Sequence, residues 1–254
     1  MSSKNFVAQV SQREFWVRTI IGLALAAASA AMITLSFAPY NLWPLIWIGF
    51  VPGLLAQYRI MPKRLSGLAA GVYVGGFIWG YLGPVFADGI WYMKYLWLII
   101  GVIITLVTIG AVAFQERTRY RWFVLQGVAA WVSVEMIRIF IPVAGTWGFV
   151  SYALYQQPWL IQPVSIFGIF GLDVLIMLVN YALAQGAILL YYRFKPDETR
   201  IPVRTALATR WLIGVGVATA VWIGKGHAGC RCAVGEVECV ADPPGRLGWL
   251  VVIG

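Results

Sequence analysis

The chain has 254 residues, of which 61% are hydrophobic and only 11% charged, with 13 Trp and a mean hydropathy of +0.79. One soluble core cannot enclose that much apolar surface, so the composition excludes an ordinary water-soluble domain and assigns the surplus to lipid. The formal charge of +9 and pI near 9.7 do not indicate a nucleic-acid binder, because the basic residues are scattered over short segments instead of forming one stripe.

Seven apolar stretches are long enough to be predicted as transmembrane helices, since a hydrocarbon core of about 30 Å needs roughly 20 helical residues. They run from Thr19 to Ala38, Leu42 to Tyr58, Ser66 to Leu82, Tyr95 to Phe114, Trp122 to Ile141, Pro163 to Tyr192 and Thr205 to Gly224. The expected fold is therefore an all-α polytopic membrane bundle. Most basic residues fall in the N-terminal arm (Lys4, Arg13, Arg18) and in alternate connections (Arg59, Lys63, Arg64; Arg117, Arg119, Arg121; Arg193, Lys195, Arg200, Arg204, with Arg210 just inside the last span). Lys94, Arg138, Lys225, Arg231 and Arg246 are the minority on the other side, so the positive-inside rule puts the N-terminus in the cytoplasm and the C-terminus in the periplasm. The expected organisation is a cytoplasmic arm over residues 1–18, a seven-helix domain over 19–224 and a periplasmic tail over 225–254.

In the first span, Ala28, Ser29 and Ala30 also fit a signal-peptide cleavage pattern. The apolar run continues through Phe37, however, and an uncleaved helix makes every later connection alternate correctly. In the third span, Gly71, Gly75, Gly76 and Gly80 suit close helix approach. Trp16, Trp43, Trp47, Trp91, Tyr92, Trp97, Trp122, Trp159 and Tyr192 lie near span ends, as an aromatic belt requires.

In the fifth span Glu135 and Arg138 stand three apart, on one helical face, where they can pair. An ionisable pair in a membrane is either a structural ion pair or a functional group. The connection from Pro142 to Gln162 carries no charge and is crowded with aromatics and amides, including Trp147, Gly148, Tyr152, Tyr155, Gln157 and Trp159. Such a segment belongs in the interface, where its rings offer amphipathic surface and its amides suit lipid ester and phosphate groups; a plain sealing loop has the same composition. In the sixth span Asp173 and Asn180 share a face two turns apart, and a carboxyl at that depth must meet protein or water, or be protonated.

The hairpin Ser36, Phe37, Ala38, Pro39, Tyr40, Leu42, Trp43, Pro44, then Val51, Pro52 and Leu54, resembles the first two spans of bacterial apolipoprotein N-acyltransferases. So does the series Ala130, Trp131, Glu135, Arg138, Thr146, Trp147, Gly148, Tyr152, Gln157, Ile161, Gln162, Gly168, Gly171, Leu172, Leu178, Val179, Asn180, Ala182. Asp173 departs from that pattern, which expects a small polar residue there. The resemblance implies a membrane bundle carrying an extracytoplasmic nitrilase-like domain after the seventh span. It implies transfer of an acyl chain from a phospholipid, through a thioester on a catalytic Cys aided by a Glu base and an oxyanion-stabilising Lys, to the N-terminal amine of a diacylglyceryl-cysteine lipoprotein.

Only 30 residues follow Gly224, too few for a two-sheet catalytic domain. They include Lys225, Glu236, Glu238, Cys230, Cys232 and Cys239, but so short a segment cannot hold a base and a nucleophile on rigid elements, and none is assigned catalysis. His227 with the cysteines could ligate a metal, and two cysteines could form a disulfide; neither pattern is specific, and the composition shift reads as a frameshifted or truncated tail. The expectation is a lipid-access domain, inactive alone, meeting a phospholipid donor and a lipoprotein acceptor in the bacterial inner membrane without cofactor or metal. A membrane subunit for a separate nitrilase-like chain is the alternative, with a small transporter behind it. The expected lipid path comprises Trp147, Gly148, Tyr152, Gln157, Gln162, Glu135 and Arg138.

Overall fold

The computed structural model describes residues 3–86, 94–141, 145–194 and 202–233, and every regular element among them is helical. Helix α1 (Ser3–Ser36) leads through a turn to a short 3-10 segment, Trp43–Trp47, and α2 (Val51–Leu55), which passes into a π turn, Ala56–Ile60. Then come α3 (Ser66–Phe86), α4 (Leu96–Thr108), α5 (Ala111–Arg117) and α6 (Phe123–Arg138). A second 3-10 turn, Val150–Leu154, and α7 (Pro158–Ile161) precede two long helices, α8 (Val164–Phe194) and α9 (Thr205–Ala233).

Five segments are long and apolar enough to cross a bilayer: Gln12–Ser36, Lys63–Pro84, Leu96–Arg117, Val164–Phe194 and Thr205–Gly226. They coincide with five of the seven expected spans. The other two are helical but different. The 16 residues of α6 extend about 24 Å, short of a full hydrocarbon core, before looser turns carry the chain to Ile141.

The expected span from Leu42 to Tyr58 is broken in the middle. Pro44 and Pro52 each lack an N–H and each sit in the first turn of a short helix, so the segment starts twice where an uninterrupted helix would start once. A break at this depth leaves backbone groups that water cannot reach, and these must find partners in the protein. They do so through side chains. Asn180 Oδ1 accepts from Phe50 N–H at 3.0 Å, its Nδ2 donates to Ile46 C=O at 2.8 Å and to Ile176 C=O at 3.0 Å, and Ser29 Oγ donates to Gly49 C=O. Asn180, Ile46 and Phe50 are all buried. The Phe50 ring lies edge-on to Trp131 of α6 at 4.8 Å and to Tyr73 of α3 at 6.2 Å.

The small residues of α3 serve two neighbours. A methyl group at Gly71 would strike Thr105 Oγ1 and Gly101 C=O of α4, whereas one at Gly76 would meet Ala30 of α1 at 2.8 Å and one at Gly80 would meet Thr34 at 2.7 Å. Backbones therefore approach closely on both flanks, as expected from the sequence. Beyond that seam α4 has no buried residue. Leu98, Ile99, Val102, Ile103, Leu106 and Val107 form an exposed apolar face that suits hydrocarbon.

At the end of the bundle away from Trp43, Lys63 Nζ meets Glu116 Oε2 at 2.7 Å and Gln185 Nε2 donates to Tyr120 C=O at 3.1 Å. The buried Arg59 guanidinium lies 5.3 Å and 5.5 Å from the ring centres of Tyr120 and Tyr192. Helix α9 continues past the expected limit at Gly224 to Ala233, so His227, Cys230 and Cys232 fall on its last turns. Trp91, Tyr92, Pro142, Lys195, Arg200, Glu236, Glu238, Cys239 and Arg246 lie outside the described residues.

Replacing Asn180 with Ala leaves Phe50 N–H and Ile46 C=O buried and unpaired, at a cost of about 3 kcal/mol. Thermal unfolding in detergent should show a clear fall in midpoint relative to the parent chain. An unchanged midpoint would mean that the broken segment is held by other contacts.

Candidate functional site

The described part of the uncharged connection between α6 and α8, from Gly145 to Gln162, folds over one end of the bundle. The ends of α1, α3, α6, α8 and α9 meet it there. The buried Phe37 packs 5.3 Å from Phe77 and 4.5 Å from Tyr81, and Gly148 lies against the same two α3 rings. Trp43 lies edge-on to Trp159 at 6.4 Å, and Trp222 Nε1 of α9 donates to Leu160 C=O at 2.8 Å.

Three charged residues hold this cap. Glu135, 1% exposed, accepts from Trp131 Nε1 at 2.9 Å and from Val150 N–H at 3.4 Å through one oxygen, Oε1. Asp173, fully buried, accepts from Ser151 N–H at 2.8 Å. Arg138 donates to the Trp147 carbonyl, with its guanidinium 5.5 Å from the Phe149 ring centre. Glu135 and Arg138 thus bond to the loop backbone and to Trp131 instead of pairing with one another as their spacing suggests. The reason is local on the carboxyl side: Val150 N–H is a buried backbone group that has to find an acceptor, and Glu135 supplies it.

The expected lipid-path residues separate into two groups. Trp147 is half-exposed, Gly148 is buried beside it with φ of +72°, and Tyr152 stacks on Phe149 at 5.8 Å, so these three sit with Glu135 and Arg138. Gln157 lies further along, accepting from Trp159 Nε1 at 3.1 Å. Gln162 faces outward and contributes its backbone carbonyl, which accepts from Ser165 Oγ at 2.8 Å; its side chain is not part of the cluster. Sequence reasoning missed Trp131, Phe149 and Ser151 as members of this site. Trp131, one turn before Glu135, was the findable one, because an indole N–H at that spacing meets the carboxyl.

A separate cleft of about 580 Å³ opens beside α1 and α3, walled by Tyr40, Trp79 and Pro84, floored by Thr34, Gly80 and Gly83, and bordered by Lys94. Its apolar walls and one ammonium group match an acyl chain with an anionic head.

The fold defines a multi-pass helical membrane protein with a loop capping one end of its bundle. Residues 29–182 match the family model of the apolipoprotein N-acyltransferase N-terminal domain, and the chain belongs to that family. The apolipoprotein N-acyltransferase of Geobacter metallireducens is 32% identical over 175 residues, a stretch that is 63% of this chain and 32% of that protein. The match thus spans about a third of the relative's length. The residues matched by the family model include the broken second segment and the whole cap, and α9 lies beyond them.

Gly148 has room for a side chain, since a methyl group there would meet Tyr81 at 3.4 Å and Phe77 at 3.5 Å. Its left-handed backbone is the obstacle, so Gly148→Ala should cost about 1–2 kcal/mol, with Gly148→Asn milder. Unfolding in detergent measures both, and equal stability for all three chains would remove the backbone argument.

Proposed function

We propose that residues 19–224 form the lipid-access portion of an apolipoprotein N-acyltransferase, delivering the acyl donor to a nitrilase-like catalytic part. The supporting observation is the cap, in which the buried Glu135 and Asp173 carboxyls and the Arg138 guanidinium hold an uncharged, aromatic loop at the bundle end, with a separate apolar cleft beside α1 and α3. The reaction implied by the family moves an acyl group from a phospholipid ester to a thiol, releasing the lysophospholipid. The lipoprotein's terminal amine then attacks the thioester, and the thiol is returned. In this reading residues 1–254 carry no catalytic residue: Trp147 and Tyr152 border the acyl and headgroup path, with Gly148, Gln157, Gln162, Glu135 and Arg138 around it.

The chain is proposed to lie in the bacterial inner membrane with its N-terminus in the cytoplasm. The broken segment from Leu42 and the α6 region count as the second and fifth of seven crossings. Topology follows from labelling in a chain with Cys230, Cys232 and Cys239 changed to Ser: a Gln156→Cys variant should react with an impermeant maleimide in intact spheroplasts, and an Arg117→Cys variant only after permeabilisation. The reverse pattern would invert the orientation.

Trp147→Ala and Tyr152→Ala, introduced into residues 1–254 joined to an intact nitrilase-like domain, should each lower lipoprotein N-acylation about tenfold, by analogy with the loss of an aromatic anchor at a binding surface. Undiminished acylation at normal expression would remove these residues from the path. Residues 1–254 alone should not restore growth to cells depleted of the enzyme, and rescue would overturn the proposed division of labour.

A further inference from the structure

Val150 and Ser151 open the 3-10 turn Val150–Leu154, and the first amides of such a turn have no acceptor within it. At a protein surface water would serve. Here Val150 and Ser151 are buried, and the acceptors come from two different helices: Glu135 of α6 takes the first amide and Asp173 of α8 the next. A single acceptor would leave the turn free to pivot, whereas two on consecutive amides fix its direction as well as its position. Arg138 takes the Trp147 carbonyl at the other end of the same stretch. Carboxyl oxygens thus meet backbone N–H and a guanidinium meets backbone C=O, so each main-chain group has a partner of the opposite hydrogen-bonding kind.

We infer that Glu135 and Asp173 are paired positioning residues, whose buried side chains hold the loop from Trp147 to Leu154 in the register that presents Trp147 and Tyr152 to lipid. What the loop presents them for rests on the functional reading above; that the two residues hold it does not. Each uses one oxygen. Glu135 Oε2, Asp173 Oδ2 and Ser151 Oγ are buried without a protein hydrogen bond, and the Ser151 hydroxyl lies near the Asp173 carboxyl. The role therefore needs an acceptor more than it needs a charge. Asp173→Asn keeps the acceptor and directs an NH2 toward the Ser151 hydroxyl; Glu135→Gln keeps the acceptor for Val150 and Trp131. Leu at either position removes it.

The test is the exposure of Ala153, which is 3% exposed in the turn. An Ala153→Cys reporter, in a chain with Cys230, Cys232 and Cys239 changed to Ser, is labelled with an impermeant maleimide in native membranes. Labelling should be slow in the parent, about tenfold faster with Asp173→Leu or Glu135→Leu, and within about twofold of the parent with Asp173→Asn or Glu135→Gln. Should the Leu variants fail to accumulate, Val150→Pro acts from the loop side. Phe149 is already extended with ψ of 136°, as a residue before proline must be, so the change deletes one amide donor and leaves both carboxyls in place. It should raise labelling several-fold.

Parental labelling rates in the Leu or Pro variants would overturn the inference, as would Asn and Gln variants that label as fast as Leu. In the fusion used for acylation, Asp173→Asn should also retain activity. A protected reporter with lost acylation would mean that charge, and not position, is what Asp173 supplies. Trp147→Ala keeps its backbone carbonyl and so should leave the reporter protected while acylation falls. Full acylation in that variant would defeat the functional reading and leave the positioning role standing.

Discussion

A backbone amide or carbonyl buried at membrane depth must be met by another protein group, and this bundle is organised around the places where its helices fail to meet that demand themselves. The central one is the broken segment between Leu42 and Tyr58. Its free groups are taken by one Asn180 side chain, which offers both a donor and an acceptor and is held in turn by Ile176 of its own helix. This ties α8 to a stretch 130 residues earlier in the chain. The Phe50 ring then sits between Trp131 and Tyr73, so α3, α6 and α8 are joined through a residue placed by one amide. Without that hydrogen-bonded join, a segment with two prolines would have no reason to stay buried.

The same demand recurs at the loop end, met by different chemistry. Ionisable groups in a membrane ordinarily suggest transport or catalysis. Here Glu135, Asp173 and Arg138 are each engaged with the main chain of the cap, so their presence in apolar surroundings follows from the loop's own needs. A cap with only short helical turns is thereby kept against the bundle, while the half-exposed Trp147 indole and the exposed Tyr155 ring remain outside. Fixed backbone and available aromatic surface are what a lipid-handling loop requires, since a mobile one would bury its rings in the bilayer.

Hydropathy over windows of span length was enough to find the helices, because the bilayer imposes a length that sequence must match. It could not show that Leu42 to Tyr58 is interrupted, since Pro44 and Pro52 leave its composition apolar and the compensating Asn180 is remote in sequence. Asp173 and Asn180 were visible as two polar residues on one face of α8; their separate tasks, one for the loop and one for the break, depend on which neighbours lie at each depth. The spacing of Glu135 and Arg138 suggested a mutual pair because helical geometry allows it. Geometry permits a contact but does not rank it against buried main-chain groups, and that ranking is decided in three dimensions. Asp173, where the resemblance implies a small polar residue, accepts a hydrogen bond from Ser151 N–H.

The seam between α3 and α4 also sets where this protein can vary. On the inner side an extra carbon at Gly71 would strike Thr105 and the Gly101 carbonyl, and one at Gly101 would press on the Gly71 carbonyl at 3.1 Å. On the other side of α4, residues such as Val107, 73% exposed, are not packed against the rest of the chain and suit fluid hydrocarbon, which accepts any apolar shape. Natural drift along that helix should therefore be one-sided: rapid interchange among Leu, Ile, Val and Phe on the outward face, and slow change along the strip against its partner, so that a single helix carries both freely exchangeable and closely constrained positions.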